Sequence, residues 1–486
     1  MRRSFPWPLL VLSLGCAGQA APPAGQASDP AALVAGALRP GIVVKGAAPV
    51  TFTISDRMAH HHVPGVSIAV VDSGRIVWAR GYGVKETGGP DSVTAETLFQ
   101  AASISKPVGA TAMLRLVEEG KLDLDRPVND FLTSWKVPDN KFTAKEKVTL
   151  RRIASHNAGL TVHGFPGYAA GDSIPSVVDV LDGRKPANTG PVRVDTLPGA
   201  IWRYSGGGTT VMQLAVMDVT GEPYAAVVKR LVLDPIGMTR SSYEQPLAAA
   251  LRGQEAAGHK ADGRLVPGRW HTYPEQGAAG LWTTPTDLLK WAMAITEARA
   301  GRSTAVLSQA MATQMLTVQK APAGLGPMLE GSGRAFHFGH GGANEGFRCE
   351  VIYFPELGRG AAVMTNGDNG GTLAREILLA IAAQYQWPEY GPREITALSV
   401  DSTALDRFVG TYSGTVPFPA TFQVTREGSR LFVTAEGIMP KEEIVFSDSL
   451  KVTGLTSGND LTFSVAKGGK IEAIGIATYR FSRKEP

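Results

Sequence analysis

The apolar alternation that marks β-strands sits at the two ends of this chain's first 390 residues and is missing from their middle. VSIAVVDSGRIVWARGYG, from Val66, gives two apolar strands joined at a turn of Asp72, Ser73 and Gly74. FHFGHGG, FRCEVIYFP and GAAVMTNG, between residues 336 and 366, give three more, and LAREILLAIAAQYQW then closes the unit with a helix. From 130 to 335, turn-rich loops alternate with helical stretches such as TVMQLAVMDVT. One of these begins with a start signal: Thr284 as cap, Pro285 in the first turn and Asp287 three residues after the cap. Strands from both ends around a helical middle imply one sheet assembled from both termini, an α+β fold.

A second pattern begins after WPEYGPREI. From about Leu405 the chain runs in short alternating segments separated by Gly, Asn and Asp turns, which reads as a small antiparallel sheet or barrel, with a boundary near residue 395. A length of 486 residues with 43% hydrophobic residues suits two or three globular domains. The net charge of +4 is spread along the chain with no Lys/Arg-rich block, so nucleic acid is not an expected partner.

The N-terminus, MRRSFPWPLLVLSLGCAGQAAPPAGQ, has two arginines, an apolar run from Phe5 to Leu14 and then small residues, the layout of an export signal over residues 1–21. Two readings stay open: cleavage after Gly18 or Ala20, or a lipid anchor on Cys16, as in a bacterial lipoprotein. Either implies a periplasmic or secreted protein. Residues 22–48, rich in Ala, Pro and Gly, read as a linker or a loosely held arm. Cys349 is the only other cysteine, which leaves no intrachain disulfide, and its place in FRCEVIYF reads as a half-buried structural thiol.

In QAASISKPVGA, Ser103 stands three residues before Lys106 where a helix begins, with Val108 to Gly120 helical in period. The spacing is cheap, since Ser464 and Lys467 repeat it. In a strand such a pair points to opposite faces, whereas on a helix both side chains lie on one face, where an amine can take a hydroxyl proton. Tyr204 lies in YSGGG before a helical segment, and His340 ends a strand with Gly341 and Gly342 behind it. Such glycines allow a backbone to approach a ligand closely.

SISK at 103–106, YSG at 204–206 and HGG at 340–342, in that order, resemble the three motifs of the serine β-lactamase and penicillin-binding protein superfamily, nearest to its class C, DD-peptidase and esterase branch. RLVEEGKLDLDRPV, IASHNAGL and GLWTTPTDLL resemble that branch too. The likeness implies a β-lactamase/transpeptidase-like domain over 49–392, an antiparallel sheet flanked by helices plus a helical subdomain, and, over 400–486, a small lipocalin-like antiparallel β-barrel. It implies that Ser103 is acylated, Lys106 is its base, Tyr204 relays the proton, and His340 contacts the substrate or the tyrosine. The N–H groups of Ser103 and Ala343 would form the oxyanion hole, Gly206, Gly341 and Gly342 would line the substrate, and no metal or organic cofactor is needed. Two departures stand out. Gly206 replaces an asparagine that helps hold a substrate amide and the lysine, and His340 replaces a lysine.

These features point to an exported serine hydrolase of peptide, amide or ester bonds, acting on a small molecule or a peptide such as a cell-wall or D-amino-acid substrate. A true β-lactamase, and a non-catalytic penicillin-binding sensor or pseudoenzyme, are the alternatives. The bland readings are a helix start for Ser103, a core tyrosine for Tyr204 and a strand brace for His340. Ser155, His156 and Asn157 read as a structural loop, and His60, His61 and His62 as a surface run with no metal-ligand spacing. A Gly-x-Ser-x-Gly elbow is absent, against an α/β-hydrolase.

Overall fold

The computed structural model describes residues 29–415, 420–435, 439–476 and 479–484; the leader and Cys16 lie outside the described residues. Its centre is a fully antiparallel six-stranded sheet. Gly65–Asp72 and Arg75–Gly83 form one end, and Arg359–Thr365 pairs with the first of them. Phe347–Phe354, His337–Asn344 and Met328–Glu330 follow outward. The sheet is thus assembled from both ends of the segment, as its apolar pattern implies.

Both faces are covered, which explains why Gly65–Asp72 reads as a continuous apolar run and not as a strict alternation. Val66, Ile68 and Val70 join Ile352, Ala361 and Val363 against the helix Gly370–Tyr385. Ala69 and Val71 join Cys349, Val351, Ala362 and Met364 in the larger core, which takes in the helices Ser105–Glu118, Gly206–Thr220 and Pro285–Arg299. The last begins as its sequence implies, with the Asp287 N–H donating to Thr284 Oγ1 at 3.3 Å. Trp291 on that helix donates its indole N–H to Thr111 at 3.0 Å and so ties it to the Ser105–Glu118 helix. Cys349 is buried, more deeply than its alternating strand suggested, and burial pushes its thiol well above the ordinary range.

Two expectations change. Within the stretch read as a linker, Pro30–Ala35 is a helix capped by Asp29, Ala31 and Val34 are buried on the core beside the Gly370–Tyr385 helix, and Ile42–Val44 pairs in parallel with Arg393–Ile395. Three apolar positions, Ala31, Val34 and Leu38, at helical and near-helical spacing supply the burial that an Ala/Pro composition conceals. The histidine run is not wholly at the surface: His60 and His62 are exposed, but His61 is buried, with Nε2 at 3.3 Å from Glu376, which also binds Arg57. The Ser105–Glu118 helix begins where the Ser-x-x-Lys stretch implied a helix start, after a 3-10 turn of Ala102–Ile104, and Pro107 falls in its first turn, where its missing N–H has no helical partner to lose.

The C-terminal part is a closed eight-stranded barrel running from Gly410–Gly414 to Tyr479–Arg483. Closure removes every edge, and Phe408, Tyr412, Phe422, Phe446, Phe463 and Phe481 fill its interior. Ser464 lies on the strand Asp460–Val465 and accepts from Arg480, while Lys467 sits in the turn beyond. The second Ser-x-x-Lys spacing therefore brings no amine to its serine.

Candidate active site

The turn before the Ser105–Glu118 helix is held from several sides. The Ser105 hydroxyl donates to the Ala102 carbonyl at 2.5 Å and accepts from the Leu281 N–H at 2.9 Å, and the Tyr243 hydroxyl donates to the Ser105 carbonyl at 2.6 Å. Ala102 takes φ +49°, a left-handed conformation that costs a non-glycine residue about 1 kcal/mol or more. That strain, held by the braces around it, presents Ser103 at the cleft with its N–H in a first turn that lacks a helical acceptor. Lys106, buried, sits one turn on. Its Nζ donates to Ser103 Oγ at 2.9 Å and to the Ala278 carbonyl at 2.8 Å. Among the described residues no carboxylate pairs with this amine.

Tyr204 precedes Ser205, the cap of the Gly206–Thr220 helix, whose hydroxyl accepts from the Gly208 N–H at 2.8 Å. The Tyr204 ring lies 5.0 Å from Lys106 Nζ and 5.9 Å from the His340 ring. The same ring is stacked on His156, with centroids 4.3 Å apart. His156 Nδ1 accepts from the Ser205 N–H at 3.2 Å. Burial and the Lys106 charge hold His156 well below the usual histidine range, so it is a neutral clamp on the tyrosine. The sequence marked the SHN loop only as structural. Its histidine reaches the site through a left-handed residue, φ +56°, a conformation that the sequence around it does not announce.

His340 is buried on the face of its strand that looks toward Ser103, Lys106 and Tyr204. Its Nδ1 lies 2.6 Å from the Gly341 carbonyl, which only accepts, so the proton sits on Nδ1 and Nε2 presents a lone pair. That Nε2 is buried with no hydrogen-bond partner among the described residues. Burial first, then the Lys106 charge, pushes His340 down to about 4, so near neutrality the ring is uncharged. Gly342 packs so closely on the turn carrying Ser103 that a Cβ would lie 2.2 Å from the Ala101 carbonyl. Gly341 faces the other way, where a Cβ would meet Glu350 at 2.9 Å. Ala343 is exposed beyond them, on the part of the strand past Gly339 that the Met328–Glu330 strand does not cover.

Gly206 is closely enclosed as well as a departure. A Cβ there would stand 3.1 Å from both the His163 carbonyl and the Phe165 ring. The loop Thr161–Pro166 occupies the space that a longer side chain would take, and it brings His163 to 5.0 Å from the Tyr204 ring. Ser103, Lys106, Tyr204 and His340 are therefore together in one cleft with His156 and His163, the two histidines that sequence reasoning did not place there.

A family model described as Beta-lactamase matches residues 51–386. Esterase EstB of Burkholderia gladioli is 28% identical over 253 residues, covering 46% of this chain and 64% of the esterase, so the match spans just under two thirds of that relative. The octameric penicillin-binding protein homologue from Pyrococcus abyssi superposes with a TM-score of 0.58 at 23% identity, over 88% of this chain and 98% of that one. D-amino acid amidase from Ochrobactrum anthropi SV3 superposes with a TM-score of 0.56 at 21% identity, over 68% of this chain and 97% of that one. The two superpositions bear on the fold.

Proposed function

The chain belongs to the beta-lactamase family, and from that premise we propose that it is an exported serine hydrolase that opens amide, peptide or ester bonds through an acyl-enzyme on Ser103. The observation that carries this reading is the 2.9 Å hydrogen bond between Lys106 Nζ and Ser103 Oγ at the start of a braced helix. With Lys106 acting as the neutral amine, Ser103 Oγ adds to the acyl carbonyl as its proton passes across that contact to the Nζ lone pair. The bond to the leaving group then breaks as that group takes a proton through Tyr204. Water adds to the acyl-enzyme in the same way, and the acid leaves with Ser103 restored. The N–H groups of Ser103 and Ala343 receive the negative charge that develops on the carbonyl oxygen.

The neutral His340 ring supports placing D-aminopeptidase, DD-peptidase or esterase chemistry ahead of β-lactam hydrolysis. An anionic substrate finds no cation at that position, and a lone pair on Nε2 suits a substrate N–H or the Tyr204 hydroxyl. The names of two similar proteins, an esterase and a D-amino acid amidase, agree with acyl donors that carry no negative charge. The test is turnover of short-chain esters and D-alanyl amides by the purified protein and by Ser103→Ala. The reading expects a loss of at least about 10³-fold in kcat. Equal rates for the two proteins would overturn it.

A further inference from the structure

The asparagine that Gly206 replaces would carry an amide into the cleft, and the structure puts something else in that place. The loop Thr161–Pro166 is tied to the Gly206–Thr220 helix end by three hydrogen bonds: Gly206 N–H to the His163 carbonyl at 3.0 Å, Gly207 N–H to the Val162 carbonyl at 3.0 Å, and the Ser205 hydroxyl to the Thr161 carbonyl at 2.8 Å. The Tyr273 hydroxyl donates to the Pro166 carbonyl at 3.3 Å, and His271 Nδ1 meets the same oxygen at 2.9 Å, fixing the far end. Val162 is held at φ +62°, a conformation that a β-branched residue avoids. A loop pinned at both ends around a strained residue is built to hold what it carries. It carries His163, exposed at the cleft and next to the Tyr204 ring, with no hydrogen bond to either ring nitrogen among the described residues.

We propose that His163 is the substrate-positioning residue that stands in for the missing second-motif amide, and that it selects acyl donors bearing an N–H on the carbon next to the scissile carbonyl, as a free α-amine or an acylamino group. The proposal rests on the serine-hydrolase reading above. Desolvation and the nearby Lys106 hold His163 below its ordinary range, so near neutrality it offers a lone pair to that N–H and does not repel an α-ammonium as a cation would. An N–H-bearing acyl group matches the His163 acceptor, while a plain alkanoyl group leaves it unmatched.

D-alanine methyl ester and methyl propionate differ only in the α-amine and test this directly. Loss of one hydrogen bond to a charged group corresponds to about a tenfold to hundredfold effect. His163→Ala is expected to lower kcat/KM for D-alanine methyl ester by that factor, to leave methyl propionate within about twofold, and His163→Gln is expected to restore part of the loss. Equal losses on both esters, or no loss on the amino ester, would overturn the proposal while leaving the hydrolase reading intact. Absence of Ser103-dependent turnover of both esters by the wild-type protein would remove the hydrolase reading itself, and this inference with it.

Discussion

Gly206 is where a single side chain decides most. Gly206→Asn installs the family's usual residue, yet its Cβ meets the His163 carbonyl and Phe165 ring at 3.1 Å, so the loop must move. The expected outcome is about 1 to 3 kcal/mol lower stability in denaturant unfolding and reduced turnover, with no gain of β-lactam hydrolysis. A stable variant that gains that activity would mean that the loop yields freely and that the site is one residue from a β-lactamase. At this scale the sequence was legible for Ser103, Lys106, Tyr204 and His340, because each sits in an ordered motif. His156 and His163 were not, because both reach the cleft through loops with left-handed residues at positions 156 and 162, where neither glycine nor asparagine gives the turn away.

The four-residue helix Gln276–Ala279 shows how an element is held in place for one contact, since its Ala278 carbonyl receives Lys106. Glu275 immediately precedes it, fully buried, with neither carboxylate oxygen partnered among the described residues, and burial pushes it up to about 8. The folded value lies above the ordinary one near 4.5. The folded protein therefore keeps the proton more tightly, and the associated stability is full below about 4.5 and lost as pH rises through about 8, on the order of 1.4 kcal/mol per pH unit. Thermal unfolding at pH 5 and pH 8.5 is expected to show a smaller drop for Glu275→Gln than for the wild type. Equal drops would show that the acid is not buried as described. Elements with explicit punctuation were legible, such as the Thr284 cap, the Asp72–Gly74 turn and the helix start at the Ser-x-x-Lys stretch, while the 3-10 turn Ala102–Ile104 that precedes that helix carries no such mark.

Over the whole molecule, the sheet could be read from sequence because burial on both faces leaves apolar runs at the two ends that form it. The barrel was readable from its turns, and Arg393 binds both oxygens of Asp460 across the boundary near 395. The N-terminal arm was not readable, because a six-residue helix rich in alanine carries little periodicity. All of this architecture converges on the contact between the Ser105–Glu118 helix and the strand carrying His340, where Gly342 lies against Ala101 so that Ser103, Lys106, Tyr204 and His340 share one cleft. Mass spectrometry of the protein after incubation with a panel of esters, D-alanyl peptides and β-lactams tests that convergence most directly. The account predicts a mass increase equal to the acyl group on the peptide containing Ser103, absent in Ser103→Ala. An acyl adduct on any other residue, or the same adduct in Ser103→Ala, would contradict it.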